Sequence, residues 1–339
     1  METERVAKIA LLSNPDAFGS QLTLPELREY CVQHDEIFHY EVEKLEDIGT
    51  ALEMIARVEP KILVINGGDG TVQTALTEMY RGDFFQNGVY ETGASGRKQP
   101  PVAVLANGRT NLIANDLGAG GSPLTVLKQL VSLADENFDE HIIVRELIAL
   151  TGNKTNDKPV VGMFLGAADL TEFILYCRHK IYPLGLPNSL SHVITAMVAI
   201  FSLFLGIKSK FLPRLSRPVR VSLLRQGELK GNFALLMVTT LDKLLFHARS
   251  VSGGKGSGRL RLMAIDQKSG AMLRFLYAIS MGKLGKNEMD GIHIDQGDTI
   301  RIEGAPSNVI LDGELFEASD VQPIILRATE PMPFVKLAA

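Results

Sequence analysis

The sequence predicts an α/β domain followed by a β domain, and two contrasting patterns along the chain carry this prediction. Over residues 1–138, apolar runs of strand length alternate with stretches of helical periodicity, which is typical of a doubly wound parallel sheet. Over residues 139–321, short β-type runs alternate with turn residues. This second pattern predicts an antiparallel β-sandwich domain, with helices inserted at two places. We expect the tail, residues 322–339, to return to the first domain through the apolar run 324–326.

The composition is that of a globular protein with an apolar surplus. Of the 339 residues, 45% are hydrophobic and 22% are charged, and a chain of this length suits two cores. The net charge of −4 gives no reason to expect nucleic acid as a partner. The two cysteines, and an N-terminus with acids but no long apolar run, favour a reducing cytoplasm without a signal peptide or disulfide bonds. These features do not predict an oligomeric state.

The first domain is organised around residues 61–76, KILVINGGDGTVQTAL. The apolar run 62–65 predicts a buried strand, and apolar residues at helical spacing begin at Val72. The glycines between them lie where the strand turns into a helix, so the backbone can approach a ligand closely. The N–H groups and the dipole of the first helical turn favour phosphate oxygens.

The acid in this loop, Asp69, points to a particular chemistry. A carboxylate repels phosphate unless a metal ion or a transferable proton lies between them, so the loop suggests Mg-nucleotide chemistry. It is not a Walker A loop, because no Gly-Lys-Ser/Thr follows. The alternative interpretation is a plain strand-to-helix turn with Thr71 as the helix cap.

The other elements of the first domain follow from the same patterns. A first strand ends at Asn14-Pro15, and a fourth strand runs into a segment that contains Gly108 and Asn111. Ser122-Pro123 is a typical helix start, a cap followed by proline at the first helical position. The predicted strands cover residues 6–12, 37–42 and 102–105, and the predicted helices cover residues 24–31, 48–58 and 124–134.

In the second domain, one predicted helix covers residues 269–282 and the other, residues 190–207, carries no Lys, Arg, Asp or Glu. The charge-free run just reaches the length of a membrane span, but a single crossing would place the two halves of the chain on opposite sides of the membrane. A core helix is one interpretation. We favour a helix that flanks a lipid pocket or lies in the bilayer interface, because a basic run without acids follows it and suits anionic headgroups. The residues expected to contact lipid are Leu190, Val193, Met197, Phe201, Phe204, Lys208, Lys210 and Arg214.

The GGDGT loop after a buried strand resembles the loop shared by the superfamily of diacylglycerol kinases, sphingosine kinases and NAD kinases. The order of motifs over most of the chain strengthens the resemblance: Asn14-Pro15, GGDGT, Gly108-x-x-Asn111, the sheet domain, and Asp312-Gly313-Glu314. The lipid kinases have a Gly-Thr-x-Asn segment at the third place, where NAD kinases have a different motif. This segment therefore favours the lipid branch.

Some positions depart from the lipid-kinase pattern. Arg109 stands where threonine is usual and Leu112 where aspartate is usual, and the basic residue expected soon after Asn14-Pro15 is missing before Arg28. The Arg109 guanidinium could supply that missing charge at the phosphates. The alternative is an exposed arginine at a helix start.

A further departure lies in residues 252–262. The bacterial diacylglycerol kinases have an acidic turn there that holds a structural Mg²⁺, whereas this segment carries Lys255 and Ser257 and no carboxylate. We expect no metal ion at this loop.

The resemblance implies an ATP-dependent lipid kinase with ATP and Mg²⁺ as cofactors and diacylglycerol as the first candidate acceptor. The apolar helix and the basic run after it predict a peripheral position at the inner, anionic face of the membrane. A sphingoid-base or ceramide kinase is an alternative, and a non-catalytic nucleotide- or lipid-binding relative is an alternative of another class. Asp69 would act through Mg-ATP or a water molecule at the phosphates. The implied nucleotide-binding residues are Asn14, Asn66, Gly67, Gly68, Asp69, Gly70, Thr71, Gly108, Arg109, Thr110 and Asn111.

The Asp312-Gly313-Glu314 motif contains the two carboxylates that the resemblance implies as candidates for the general base. Asp-Gly is also the commonest signal for a tight hairpin, which explains the first two residues but not Glu314 at the start of the next strand. Resemblance implies that the two carboxylates meet the nucleotide across an interdomain cleft, where one of them takes the proton of the lipid hydroxyl. The residues do not decide which of Asp312 and Glu314 is the base.

Overall fold

The structure is a computed structural model that describes residues 7–85, 88, 90–92, 96–136, 138–152, 158–176, 218–223, 227–242, 258–281, 283–285, 288–304, 308–318 and 322–337. The chain forms two compact units. The first comprises Met1–Leu147 and Thr329–Ala339, and the second comprises Ile148–Ala328.

The first unit is built of six strands in one sheet, a small hairpin and five α-helices within the described residues. The strands of the large sheet are β1 (Ile9–Ser13), β2 (Ile37–Glu41), β3 (Ile62–Gly67), β6 (Val102–Ala106), β7 (Ile142–Arg145) and β20 (Met332–Val335); β4 (Tyr90–Thr92) and β5 (Arg97–Gln99) form the hairpin. The helices are α1 (Ser20–Gln33), α2 (Ile48–Ala56), α3 (Asp69–Arg81), α4 (Leu112–Asp116) and α5 (Pro123–Asp135), and 3₁₀ turns cover Leu45–Asp47 and Asp139–His141.

The large sheet has the order β2-β1-β3-β6-β20-β7. The first four strands are parallel neighbours, as the alternation of strands and helices predicted. Every residue of β1 and β3 is buried, which is typical of parallel strands covered on both faces. Ser122 caps α5 and Pro123 takes its first position, so this helix begins where the sequence predicted.

The C-terminal return differs in detail from the expected one. The run that joins the first unit is β20, which pairs parallel with β6 and antiparallel with β7. The expected run belongs to the strand Ile324–Ala328, which pairs within the second unit. Because β7 pairs with β20, the first unit extends to Leu147 instead of ending at residue 138.

The second unit contains two antiparallel sheets. One has the order β15-β14-β13-β10-β17-β18, and the other has the order β12-β11-β16-β19-β8-β9. The first sheet consists of β10 (Phe164–Ala167), β13 (Phe233–Thr239), β14 (Leu260–Asp266), β15 (Ile292–Gly297), β17 (Val309–Leu311) and β18 (Glu314–Phe316). The second consists of β8 (Ile148–Thr151), β9 (Val160–Gly162), β11 (Val219–Leu223), β12 (Gly227–Gly231), β16 (Thr299–Glu303) and β19 (Ile324–Ala328).

Buried side chains from both sheets form one hydrophobic core, among them Leu150 and Ile302 from one sheet and Leu236 and Leu262 from the other. The described helices of this unit are α6 (Asp169–Tyr176) and α7 (Ser269–Ser280). This arrangement is a β-sandwich with inserted helices, so the predicted fold class is confirmed for both halves of the chain.

The expected lipid-contact residues Leu190, Val193, Met197, Phe201, Phe204, Lys208, Lys210 and Arg214 lie outside the described residues, as do Lys255 and Ser257. Within the described part of the chain, no helix combines the length and the apolarity that a membrane crossing requires.

Candidate nucleotide site

Three loops meet at the carboxyl edge of the parallel sheet in the first unit. They follow β1, β3 and β6, which are adjacent strands in the order β1-β3-β6. The loop after β1 begins at Asn14, the loop after β3 includes Gly68, and the loop after β6 runs from Asn107 to Asn111. Ligands of open α/β sheets bind at this edge. The three segments that the sequence singled out in this domain are therefore brought together.

A row of side-chain hydrogen bonds crosses the sheet beneath these loops. His39 Nε2 lies 2.9 Å from Ser13 Oγ, and Asn66 Nδ2 donates to Ser13 Oγ over 3.1 Å. Asn107 Nδ2 donates to Asn66 Oδ1 and, over 2.9 Å, to Thr23 Oγ1. Ser13, Asn66 and Asn107 are almost completely buried. The row follows the strand order β2-β1-β3-β6 and fixes the strand ends from which the loops start; we call it the polar ladder.

The polar ladder gives Asn66 a supporting role. Its side chain is fully buried, with both ends bonded to Ser13 and Asn107. Such a residue supports the ends of the strands from which the loops start, and the contact of Asn66 with a nucleotide stays a prediction. Ser13, Thr23, His39 and Asn107 were missed by the sequence analysis; the signal available for Ser13 and Asn107 was a polar residue at the end of a buried strand.

One glycine, Gly108, allows the second and third loops to touch through their backbones, and another, Gly67, allows close approach within the second loop. A methyl group on Gly108 would lie 2.7 Å from Gly68 Cα and 2.9 Å from Asn111 Oδ1. A methyl group on Gly67 would lie 2.7 Å from Thr71 Cβ. These positions therefore need glycine for close approach, even though neither has a positive φ.

Asp69 links the GGDGT loop to the start of α4. Its carboxylate oxygens accept hydrogen bonds from the backbone N–H groups of Leu112, over 3.3 Å, and Ile113, over 3.4 Å. Burial raises the pKa of Asp69, while the backbone N–H groups of Leu112, Ile113 and Asn111 act in the opposite direction. In this geometry the carboxylate is directed at the N-terminus of α4.

Asn111 shapes the third loop. Its backbone has a φ of 52°, the left-handed conformation that asparagine tolerates better than most residues. Its Oδ1 accepts from Gly108 N–H over 2.6 Å, and its Nδ2 donates to the Gly108 carbonyl over 2.9 Å. Thr110, between them, is half-buried.

Thr71 and Asn14 join the first loop to the second. Asn14 Nδ2 donates to Thr71 Oγ1 over 2.9 Å, and Thr71 is only 4% exposed. Thr71 does not cap α3, because the helix begins at Asp69 with Gly68 as its N-cap. The alternative interpretation of Thr71 as a helix cap is therefore wrong.

Arg109 lies over an aromatic ring from the first loop. Its Cζ is 4.0 Å from the centroid of the Phe18 ring, and both side chains are exposed. A guanidinium stacked on an aromatic face is held in place while its N–H groups remain directed outward in the ring plane.

The start of α3 can accept an anion. The first intrahelical hydrogen bond is donated by Val72 to the Gly68 carbonyl over 3.1 Å, so the amides of Asp69, Gly70 and Thr71 precede it. Gly68 has no side chain with which to cap them, and Gly70 is half-buried. These donors, the approach allowed by glycine and the Arg109 cation fit a polyphosphate. No group of three or more His, Cys, Asp or Glu residues suited to a metal ion occurs in the described ranges. A Mg²⁺ held mainly by phosphate oxygens requires only one or two carboxylates.

Asp312 and Glu314 lie in the second unit, on the hairpin of β17 and β18. Asp312 and Gly313 both have positive φ, of 46° and 91°, and Leu311 pairs with Glu314, so the two residues form a tight two-residue turn. Asp312 is 2% exposed. Its oxygens accept hydrogen bonds from the backbone N–H groups of Met163, over 2.9 Å, and Phe164, over 2.8 Å. Glu314 is half-buried.

Comparison with known proteins agrees with this geometry. Residues 8–140 match the family model of the diacylglycerol kinase catalytic domain. Among curated proteins, none matches this chain. The chain resembles solved structures from Bacillus anthracis str. Sterne. A candidate diacylglycerol kinase has a TM-score of 0.61 at 15% identity, and a structure described as a diacylglycerol kinase has a TM-score of 0.56 at 14% identity. Each comparison covers 98% of this chain and 97% of the other.

These similarities confirm the resemblance that the motifs indicated. At this identity the solved structures show the fold alone. The family model applies to residues 8–140, which lie in the first unit. Over residues 8–140, this chain is therefore similar to the diacylglycerol kinase catalytic domain.

Proposed function

We propose that the chain is an ATP-dependent lipid kinase that transfers the γ-phosphate to a hydroxyl group of a membrane lipid, with diacylglycerol as the first candidate. The observation that carries the proposal is the convergence of three loops on an α3 N-terminus that has no side-chain cap. The match to a diacylglycerol kinase catalytic domain supports the class of reaction. Diacylglycerol is chosen because the matched family is named for it.

The first unit would bind the nucleotide through its phosphates. In this proposal the amides of Asp69, Gly70 and Thr71 donate to phosphate oxygens, and the guanidinium of Arg109 offsets their charge. Mg²⁺, when bound, would offset further charge on the phosphate oxygens and orient them for transfer. Asp69, the first residue of α3, would contact such an ion directly or through water, while its bonds to α4 hold the third loop.

Glu314 is the better candidate for the general base. A base must have a lone pair that can reach the substrate hydroxyl. The two oxygens of Asp312 accept hydrogen bonds from Met163 and Phe164, and the side chain is almost fully buried, so this residue holds the hairpin against β10. Glu314 follows the turn and is more accessible. We therefore assign it the proton of the lipid hydroxyl as that oxygen attacks the γ-phosphorus and the bond to ADP breaks.

One observation favours a second candidate, a non-catalytic relative that binds nucleotide or lipid. Asp69 and Asp312 both accept hydrogen bonds from backbone N–H groups, so each has a structural use that does not require catalysis. A protein that had lost activity would still need these two residues to fold.

A phosphotransfer assay distinguishes these functions. The purified chain is incubated with Mg²⁺, radiolabelled ATP and, separately, diacylglycerol, monoacylglycerol, ceramide, sphingosine or NAD, and labelled products are resolved. We expect labelled product with diacylglycerol and a loss of turnover in Glu314→Gln. Product only with sphingosine or ceramide would support the sphingoid or ceramide alternative. Nucleotide binding without product from any acceptor would overturn the kinase proposal in favour of the binding relative.

A further inference from the structure

Helix α7 is apolar on both of its sides. One side packs on the sheet that contains β13 and β14. There Ala271, Met272 and Phe275 of the helix form a hydrophobic cluster with Met237 and Met263 of the strands. This burial accounts for one stripe of the helix.

The opposite side is also apolar but lies in solvent. Leu273, Leu276 and Tyr277 follow the i, i+3, i+4 spacing of one helix face and are 52%, 37% and 56% exposed. We call these three residues the outer face of α7. The outward stripe of a helix on a globular domain is normally charged or polar, and three large apolar neighbours there indicate a binding surface.

We propose that the outer face of α7 docks on a lipid surface; the inference rests on the proposed function, since the acceptor of a lipid kinase is held in a membrane. An interfacial helix lies in the membrane plane with its apolar face at the boundary between headgroups and acyl chains. Leucine side chains enter the acyl region, and tyrosine suits the headgroup level because it has an apolar ring and a polar tip.

The charges around the outer face fit anionic headgroups. Residues 269–281 contain no carboxylate, and Arg274 is the charged residue among them. Exposed Lys283 follows the helix and exposed Lys268 precedes it. Lys268 and Arg274 are paired with Asp266 and Asp290 over 3.0 and 3.1 Å, so carboxylates lie beside two of these three cations. Such pairs contribute little to stability and can be exchanged for pairs with anionic headgroups.

The same charges argue against a second copy of the chain as the occupant. In a two-fold interface centred on the outer face, the cations that border one helix would approach those of the other, and like charges across an interface are unfavourable. Anionic lipid headgroups would complement them, at about 1 kcal/mol for each cation near the surface.

Vesicle binding of the full chain without nucleotide tests the proposal. The probe is vesicles of phosphatidylcholine with phosphatidylglycerol, and binding is measured by sedimentation. The test variant is Leu273→Gln/Tyr277→Gln, which removes apolar area from the outer face. The control is Leu22→Gln/Val32→Gln, which removes two apolar side chains from α1 that are more exposed than the test residues, at 84% each.

We expect the vesicle partition coefficient of the test variant to fall by roughly tenfold or more, because burial of one large apolar side chain is worth at least that factor. The control should bind as the unchanged chain does, and both variants should keep the unchanged melting temperature. Equal binding by the test variant would overturn the proposal. So would a concentration-dependent dimer in the unchanged chain that the test variant abolishes without losing vesicle binding.

The outcome can be separated from that of the proposed function. Vesicle binding is measured without ATP, and phosphotransfer is measured with a short-chain diacylglycerol that dissolves as monomers. Loss of vesicle binding with undiminished turnover on the soluble acceptor supports the outer face as a membrane contact. A chain with no turnover on any acceptor would refute the kinase function, while the vesicle result would still decide the role of α7.

Discussion

Gly68 and Gly108 bring two loops of the candidate nucleotide site into backbone contact. A methyl group on Gly108 would lie 2.7 Å from Gly68 Cα, and a methyl group on Gly68 would lie 3.3 Å from Gly108 Cα. Because α3 begins at Asp69 and α4 begins at Leu112, this contact also sets the spacing between the two helix starts. The α4 side of the contact is held by the Asp69 carboxylate.

Replacing Gly108 should separate these loops. In Gly108→Ala the new methyl group meets backbone atoms, which cannot turn away as a flexible side chain could, so the loops must move apart. If the loops bind the phosphates of ATP, we expect affinity for Mg-ATP to fall by roughly tenfold or more, since sub-ångström displacements weaken several hydrogen bonds together. Isothermal titration measures this change.

Gly120→Ala is the matched control for that variant. Gly120 lies close by in the chain, its φ is not positive, and nothing lies within 4 Å of an added methyl group. Its affinity for Mg-ATP should equal that of the unchanged chain. If both alanine variants bind equally well, the contact between Gly68 and Gly108 does not shape a nucleotide site.

The two carboxylates of the late hairpin should respond differently to amide replacement. Asp312→Asn turns an acceptor oxygen into an N–H donor that faces the N–H groups of Met163 and Phe164, so stability should fall by about 1–3 kcal/mol. Glu314→Gln changes a more accessible side chain and should leave the melting temperature unchanged. In the phosphotransfer assay, Glu314→Gln should lower kcat by about 10²–10⁴-fold.

Comparison of the two variants decides which carboxylate is the base. If Asp312→Asn keeps its melting temperature but loses turnover, while Glu314→Gln stays active, the roles assigned here are reversed. Circular dichroism melting curves recorded on the same preparations separate loss of fold from loss of chemistry.

The features that the sequence predicted well are local ones. The alternation of buried runs with helical periodicity predicted the α/β unit. The GGDGT glycines predicted the start of α3, because a tight strand-to-helix turn depends on adjacent residues. The Asp-Gly turn at Asp312 was predicted for the same reason. Turn chemistry and periodicity need no knowledge of which elements meet.

The features that the sequence could not give depend on distant partners. Asp69 bonds to amides 43 and 44 positions away, and no local pattern shows that it would be directed at α4. Residues 324–326 and the strand Met332–Val335 are both apolar runs of strand length, so only the sheet partners reveal that the later one returns to the first unit. The polar ladder could not be predicted either, because its members come from strands that are far apart along the chain.

A buried ion pair should hold α4 to the sheet of the first unit. Arg145 on β7 and Asp116 at the end of α4 are 6% and 0% exposed and are directly paired. Asp116→Ala leaves the Arg145 guanidinium buried without this carboxylate, so the free energy of unfolding should fall by about 3–5 kcal/mol. Chemical denaturation followed by circular dichroism measures the loss.

Two further variants test whether the effect comes from the buried charge. The double variant Asp116→Leu/Arg145→Leu should recover much of the lost stability, because no uncompensated charge remains in the interior. Asp135→Ala, which breaks the exposed pair with Lys8, should leave stability nearly unchanged. A small effect of Asp116→Ala would mean that solvent reaches this pair.

His39, at the end of the polar ladder, should make the first unit sensitive to acid. Burial lowers the pKa of His39, the Glu41 carboxylate with an oxygen 3.9 Å from Nε2 opposes this shift, and the Arg28 guanidinium adds to it. The folded state therefore binds this proton less readily than the unfolded state, whose histidine has the ordinary pKa of about 6.5. The stability contributed by neutral His39 is full above that pH and is lost as the pH falls toward the lower, folded-state pKa.

Replacement of His39 should flatten this part of the pH profile. His39→Gln retains a group that can hydrogen-bond to Ser13 but cannot gain a proton, so its stability should fall less than that of the unchanged chain when the pH is lowered from 7 to about 5. Urea unfolding at a series of pH values gives the slopes directly. Equal slopes for the His39 variant and the unchanged chain would show that protonation of His39 does not cause the loss of stability in acid. The polar ladder would then support the loops without responding to pH.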